Sequence, residues 1–245
     1  MSKTGIHRNN KKPAKVRYMF GRISKRYDLL NRIMTLGFDI MWRRFLIRMA
    51  DLPDSGRVLD SGAGTGDIAA GILREYPDIS VTAADLTFEM MAVGKEKQGR
   101  EKISWCQADA EYLPFPDSTF DAVASGFLAR NVPDIHVMFK EQVRVLKPGC
   151  RLVCLDTSPI PDNILKPLIL LYYRCIIPLM GTVIAGEKSA YKYLPQTTIE
   201  FLRPDQLAGI LKKAGLADVK YRSFMFGNIS VHWGTKPDKK EKELN

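Results

Sequence analysis

Apolar positions along the chain change their period several times, and each change marks an element. Between Val16 and Ala50 the residues Met19, Phe20, Ile23, Tyr27, Leu30 and Ile33, then Ile40, Met41, Phe45 and Met49, recur at helical spacing in two stretches divided by Gly37. This predicts a helical cap at the N-terminus. Short apolar runs then alternate with helical ones: strands over Arg57–Asp60, Ser80–Asp85, Ile103–Gln107, Phe120–Ser125 and Arg151–Asp156, and helices after Asp67, around Phe88–Met91 and over Val137–Leu146. Lys147, Pro148 and Gly149 read as a turn into the fifth strand. Pro159–Gly186 breaks the alternation with an apolar stretch interrupted by Pro167 and Pro178. Its apolar runs fall well short of the roughly 20 residues that span a bilayer. Arg203, Pro204 and Asp205 then start a helix that Gly215 closes, and last strands follow near Asp218–Ser223 and Ile229–Gly234. The pattern predicts an α/β fold: a doubly wound, mostly parallel, seven-stranded sheet with an N-terminal helical cap and a helical insertion after strand five. Residues 16–235 form the single expected domain (cap 16–50, insertion 159–200). A flexible basic arm, 1–15, with Pro13 breaking any helix, precedes it, and a charged tail, 236–245, follows.

The densest chemistry lies at Val58–Asp67, VLDSGAGTGD. An apolar run ends in Asp60, and Gly62, Gly64 and Gly66 follow as a turn that lets backbone approach a ligand without Cβ in the way. Asp67 then opens a helix. Strand, glycine turn and helix start form a nucleotide site at the carboxyl edge of an open sheet. The spacing is GxGxG, not the dinucleotide GxGxxG, and the acid before the turn would repel a pyrophosphate while suiting a ligand that carries an ammonium and a sulfonium. S-adenosylmethionine fits that description, and Thr65 sits within the turn.

Asp85 ends the second strand about 20 residues on, the distance at which an acid reaches a ribose, although a helix cap is the plainer role. Leu86 follows it, and Met90 on the next helix could face an adenine or the core, as could Phe88 and Met91. Asp109 and Ala110, after the third strand, could contact the exocyclic adenine amine. The three strand-end acids would lie along one sheet edge, joined by Ser125 at the end of strand four.

Composition narrows the partners. The chain has 245 residues and a formal charge of +10, with six Lys or Arg and no acid before Tyr18. No aromatic residues interleave with these basic ones as a single-strand platform would need, which argues against nucleic acid. Cys106, Cys150, Cys154 and Cys175 show no CxxC spacing, so neither a metal site nor a disulfide framework is indicated, and with no leader pattern ahead of them the expected compartment is the cytoplasm. The apolar insertion could roof a pocket, touch a membrane surface peripherally, form a homodimer contact or be ordinary core.

Ordered motifs now accumulate: YDLLNRIMTLGFDIMWRRF at Tyr27–Phe45, the glycine turn, ADAEYLPFPDSTFD at Ala108–Asp121, ARNVPD at Ala129–Asp134, RVLKPG at Arg144–Gly149 and SAYKYLPQTTIEF at Ser189–Phe201. From about Val16 onward the chain resembles the ubiquinone/menaquinone biosynthesis C-methyltransferases within the class I S-adenosylmethionine-dependent methyltransferases. The resemblance implies methyl transfer to a ring carbon of a prenylated quinol of the demethylmenaquinol or ubiquinol-precursor type, with S-adenosylhomocysteine as the second product. Ionisation of a neighbouring phenol makes the ring carbon nucleophilic, so the reduced quinol must be the acceptor. Arg130 could stabilise the phenolate or hold a water, Asn131 could orient that water, and Tyr27 could complete the network. Each has a plainer alternative: Arg130 pairing with Asp134, Asn131 capping the next helix, Tyr27 as a half-buried core aromatic. Asp28 and Asn31 could be hinge contacts, His136 is expected to face solvent, and Arg43 and Arg44 could line a pocket mouth or face water.

Departures from the family pattern cluster on the acceptor side. Asp39 stands where a histidine is usual, Thr35 where a serine is, and Cys150 and Asp156 replace a glycine and a glutamate. They leave open a methyltransferase for another isoprenoid or lipid acceptor, or a non-catalytic cofactor-binding subunit of a lipid-pathway complex.

Overall fold

In the computed structural model the described residues are 11–162, 164, 166–176, 197–198 and 200–238. Seven strands form one sheet: β1 (Gly56–Ser61), β2 (Ile79–Asp85), β3 (Ser104–Gln107), β4 (Phe120–Gly126), β5 (Leu146–Thr157), β6 (Ala217–Phe224) and β7 (Ile229–Thr235). Their order is β3-β2-β1-β4-β5-β7-β6, parallel except that β7 runs antiparallel between β5 and β6. Helices α1 (Lys11–Met34) and α2 (Phe38–Met49) precede the sheet. The others described are α3 (Asp67–Glu75), α4 (Phe88–Lys95), α5 (Ile135–Val145), α6 (Lys166–Leu171) and α7 (Pro204–Lys213). This is the α/β, mostly parallel architecture the hydrophobic pattern predicts.

The period of two along the strands divides the core into two layers. Val58, Val81, Ala83, Ala122 and Val153 face α2 and α3 through Trp42, Leu46, Ile68 and Ile72. Their neighbours Leu59, Ala84, Val123, Leu152 and Cys154 face α5 and α7 through Met138, Phe139, Leu207 and Leu211. Parallel registers bring Ser61 beside both Ala84 and Ser125, and Asp85 beside Gln107, so the carboxyl ends of four strands share one edge. The strand order reverses direction from β1 to β4, and such a switch point opens a crevice at that edge.

Two local expectations need correction. α1 begins at Lys11, so Pro13 lies in its first turn, where no intrahelical N–H is missed, and does not break it. Residues 1–10 of the expected arm lie outside the described residues. Lys147–Gly149 is not a turn between elements. Phe120 pairs with Leu146 and Ala122 with Arg151, so these residues bulge within β5, with Gly149 at φ 74° and its N–H donated to the Lys236 carbonyl at 2.8 Å. Of the insertion, α6 is followed by a π-helical turn at Tyr172–Ile176, whose Tyr172 hydroxyl donates to the Met34 carbonyl at 2.8 Å. Most of 177–200, including SAYKYL, lies outside the described residues. Among the described residues no helix is long and apolar enough to cross a membrane.

Candidate active site

The glycine turn leaves β1 in left-handed backbone: Gly62, Gly64 and Gly66 have φ of 71°, 57° and 79°. Space is as restrictive as conformation. A Cβ on Gly62 would stand 2.7 Å from Leu128 Cδ1, and one on Gly66 2.6 Å from Trp105 Cη2. The Gly62 and Ala63 amides donate to the Ala84 carbonyl at 2.8 and 3.0 Å, which ties the turn to β2. Asp85 completes the tie: Oδ2 accepts from the Gly64 amide at 2.8 Å and Oδ1 from the Thr87 amide at 2.7 Å. Burial raises its carboxyl pKa, and the two amide donors oppose that rise.

Asp60 lies beneath the turn, fully buried, with Oδ2 accepting from the Ala69 amide at 3.0 Å in the first turn of α3. Burial lifts its pKa to about 7 against that bond. Its Oδ1 and the neighbouring Ser61 Oγ are buried and have no hydrogen-bond partner among the described residues. Of the two, Ser61 lies at the edge beside the bare left-handed glycines, where a ligand could supply its missing partner, while Asp60 braces the turn from below.

A cleft opens there. The structure gathers Gly62, Gly64, Asp85, Leu86, Met90, Asp109 and Ala110 around it, with Tyr27 and Asn131. Met90 forms wall, whereas Phe88 is exposed and Met91 is buried in the core. Asp60, Thr65, Gly66 and Ser125 do not line it. Asp60 and Ser125 are buried in their strands, Gly66 packs on Trp105, and the Thr65 hydroxyl donates to Asp28 Oδ1 at 2.7 Å. Asp28 also pairs with Lys97, which fastens α1 over the turn. Val16 and Phe20 of α1 and Thr87, Phe127 and Leu128 complete the cleft, and none of these stood out in the sequence as a site residue. Only the position of Phe127 and Leu128 directly after a strand could have signalled the last two.

A second, larger and predominantly apolar cavity lies beyond it. Met34, Trp42, Tyr172 and Ile229 contribute apolar wall, and Thr35, Asp39 and Arg130 contribute polar groups. Tyr27 and Phe127 line both cavities. Phe127 holds a left-handed backbone at φ 57°, and the Asn131 side-chain amide donates to its carbonyl at 2.9 Å. The ring lies between guanidiniums, with Arg130 Cζ 5.2 Å and Arg43 Cζ 5.8 Å from its centroid. Burial raises the Tyr27 pKa, opposed by the hydrogen bond to Asn31 and by Arg130 and Arg43, so the phenol stays neutral.

Arg130 pairs with Asp156, not Asp134, and both side chains are buried. Asp134 instead caps α5 by accepting from the His136 and Val137 amides, so Asn131 is not the cap either. His136 faces solvent, as expected. Two of the departing residues touch each other: Thr35 Oγ1 lies 3.0 Å from Asp39 Oδ1, and Asp39, 1% exposed, also receives Arg32 at 2.9 Å and Arg43. Arg43 is therefore held inward, while Arg44 is exposed. Among the described residues no cluster of His, Cys, Asp and Glu could hold a metal ion.

The chain has relatives among known proteins. The profile of the ubiE/COQ5 methyltransferase family matches residues 8–236. The Ubiquinone/menaquinone biosynthesis C-methyltransferase UbiE of Desulfotalea psychrophila is 47% identical over 90% of either chain. The Demethylmenaquinone methyltransferase of Roseiflexus castenholzii is 39% identical over 90% of this chain and 93% of its own. Among solved structures, a SAM-dependent methyltransferase from Thermotoga maritima, a possible histamine N-methyltransferase, superposes with a TM-score of 0.65 at 20% identity over 90% of this chain and 99% of its own, a likeness of fold.

Proposed function

The chain belongs to the ubiE/COQ5 methyltransferase family, and from that premise we propose that it transfers a methyl group from S-adenosylmethionine to a ring carbon of a prenylated quinol. One observation carries the reading: a cleft at the sheet edge, lined in part by Asp85 and Asp109, and a larger, predominantly apolar cavity share Tyr27 and Phe127 as a common wall. A cationic donor on one side and a lipid-tailed ring on the other would meet there.

S-adenosylmethionine, when bound, supplies an electrophilic methyl on a sulfonium. Gly62, Gly64, Asp85, Leu86, Met90, Asp109 and Ala110, which line the cleft, would hold it. Asp60, Thr65, Gly66 and Ser125 shape that site from beneath. Ser61, whose Oγ has no partner among the described residues, lines the cleft together with Asp85 and Asp109, and these groups suit a cationic ligand bearing donors.

On the acceptor side, Arg130 keeps its proton at any working pH, so it acts as an electrostatic partner of the phenolate oxygen or as the holder of a water, and not as a base. Asp156 fixes its guanidinium. Tyr27, kept neutral by burial, donates a hydrogen bond to the acceptor or to that water. Asn131 secures Phe127, and with it the wall between the cavities. Alignment of carbon, methyl and sulfur then supplies most of the acceleration. The polar Thr35–Asp39 corner of an otherwise apolar cavity favours a second reading, in which the acceptor is another isoprenoid ring.

The test is purified protein with S-adenosylmethionine and a set of prenylated acceptors, each reduced and oxidised, followed by mass spectrometry. Methylation of reduced demethylmenaquinol or a ubiquinol precursor, and none of the oxidised forms, is expected. Methylation of another isoprenoid alone favours the second reading, and no transfer to any acceptor overturns both.

A further inference from the structure

Two turns of the molecule hold bulky apolar residues in backbone that normally calls for glycine. Leu36 has φ 52°, and Met225 and Phe226 have φ 47° and 56°. Such backbone is strained for a residue with a side chain and persists only where something over-determines it. Core packing does not account for them, because Leu36 is 78% exposed and Phe226 63%. Both turns close on a left-handed glycine, Gly37 and Gly227. All three strained residues line the larger cavity, together with Leu168, Leu171 and Ile176, which are also exposed. The mouth of the cavity therefore carries an apolar rim turned toward solvent.

The flank of α1 that runs toward this rim is amphipathic. Tyr18, Arg22, Arg26, Leu29 and Ile33 recur at spacings of three and four and are all exposed, and the Leu36 amide donates to the Ile33 carbonyl at 3.1 Å. The one acid of α1, Asp28, is turned inward to Thr65 and Lys97. Basic heads, an interfacial tyrosine and aliphatic tips on one flank suit a headgroup layer, where arginine stems lie along apolar surface and their charges reach phosphates.

We propose that this rim and flank together form a docking face for a bilayer containing anionic lipid, with the cavity mouth set against the hydrocarbon. The assignment rests on the proposed function in one respect, that a lipid-tailed acceptor needs such a mouth. The overall charge of +10 favours an anionic surface. A second copy of the chain fits the face less well, because a twofold contact sets the basic flank against itself.

The experiment is sedimentation of the full-length protein with vesicles of phosphatidylcholine alone or mixed with phosphatidylglycerol, without donor or acceptor. Binding to the mixed vesicles, weakened by salt, is expected. Leu29→Glu with Ile33→Glu should lower partition about tenfold or more. Leu36→Asn with Phe226→Asn, which suits the left-handed backbone and removes the apolar tips, should lower it comparably. Turnover of a tail-less quinol by the Leu29/Ile33 variant should match the unsubstituted protein, which separates lost docking from lost folding. Absence of vesicle binding, undiminished binding by both variants, or loss in these variants of a lipid-independent dimer would overturn the assignment. Vesicle binding by a protein that methylates no acceptor would leave the docking face standing and remove the proposed function.

Discussion

The sheet-edge cleft and the apolar cavity, the proposed donor and acceptor sites, share a wall but are built by different means. The wall of the cleft that carries the glycine turn is backbone work: amides of the turn, a strand-end carbonyl and the carboxylate of Asp85, drawn from one βαβ unit and tied within it at 2.7–3.0 Å. The cavity is side-chain work, assembled from α1, α2, β5, the π-helical turn and the β6–β7 turn, which sequence separates widely. Backbone geometry tolerates almost no substitution and so fixes the donor. Side-chain walls can be exchanged one at a time, and the departures at Thr35, Asp39 and Asp156 fall among residues that line the cavity or hold its arginine.

This contrast should show most strongly at the buried ion pair. Asp156→Ala leaves Arg130 charged without its carboxylate in a buried site, which should destabilise the fold by about 3–5 kcal/mol and abolish turnover. A well-packed apolar replacement of both, Arg130→Met with Asp156→Leu, should regain most of that stability in urea unfolding while restoring no activity. Recovery of activity in the pair would show that the arginine does not act on the acceptor.

On the donor side, Gly66→Ala must place a Cβ 2.6 Å from Trp105 in left-handed backbone, a cost of about 1–3 kcal/mol read as a fall in melting temperature. Gly66 does not line the cleft, so affinity for S-adenosylhomocysteine should fall only through movement of the turn. Asp85→Asn keeps one acceptor oxygen and loses the other, which should weaken S-adenosylhomocysteine by about tenfold in calorimetry, roughly the 1–2 kcal/mol of one hydrogen bond to a charged group. Acceptor KM should be unchanged, and an equal loss for both ligands would erase the distinction between the two sides.

The last contrast is a pH slope. With a native pKa of about 7 against 3.8 for the free carboxyl, Asp60 holds a proton in the folded state that the unfolded chain releases above pH 4. Its contribution therefore makes the fold less stable as pH rises from about 4 to about 7, and is constant outside that window. Asp60→Asn should flatten this part of the stability profile, measured by urea unfolding without ligand. An unchanged slope would show that Asp60 is ionised throughout.

Legibility followed the same division. Strands, their order of chemistry and the cleft residues Gly62, Gly64, Asp85 and Asp109 could be read because period, glycine spacing and strand-end acids are local signals. The partners of Arg130 could not. Asp156 lies 26 residues away on the neighbouring strand, and only the β4–β5 register brings them together, whereas Asp134, four residues on, offered a nearer but unused partner. The inward hold on Arg43 was equally hidden, because it depends on a buried Asp39 that composition presents as a surface acid. Pro13 misled for a positional reason: its effect on a helix depends on whether it falls in the first turn, which apolar spacing beginning at Val16 does not show.

The central claim is that donor and acceptor meet across the Tyr27–Phe127 wall for transfer to carbon. Its most direct test is a single turnover with S-adenosylmethionine carrying a carbon-13 methyl and a reduced prenylated quinol, followed by NMR of the product. A labelled methyl attached to a ring carbon, absent when Arg130→Ala is used at saturating donor, is the predicted result. Label on a quinol oxygen, or undiminished transfer by the variant, would contradict it.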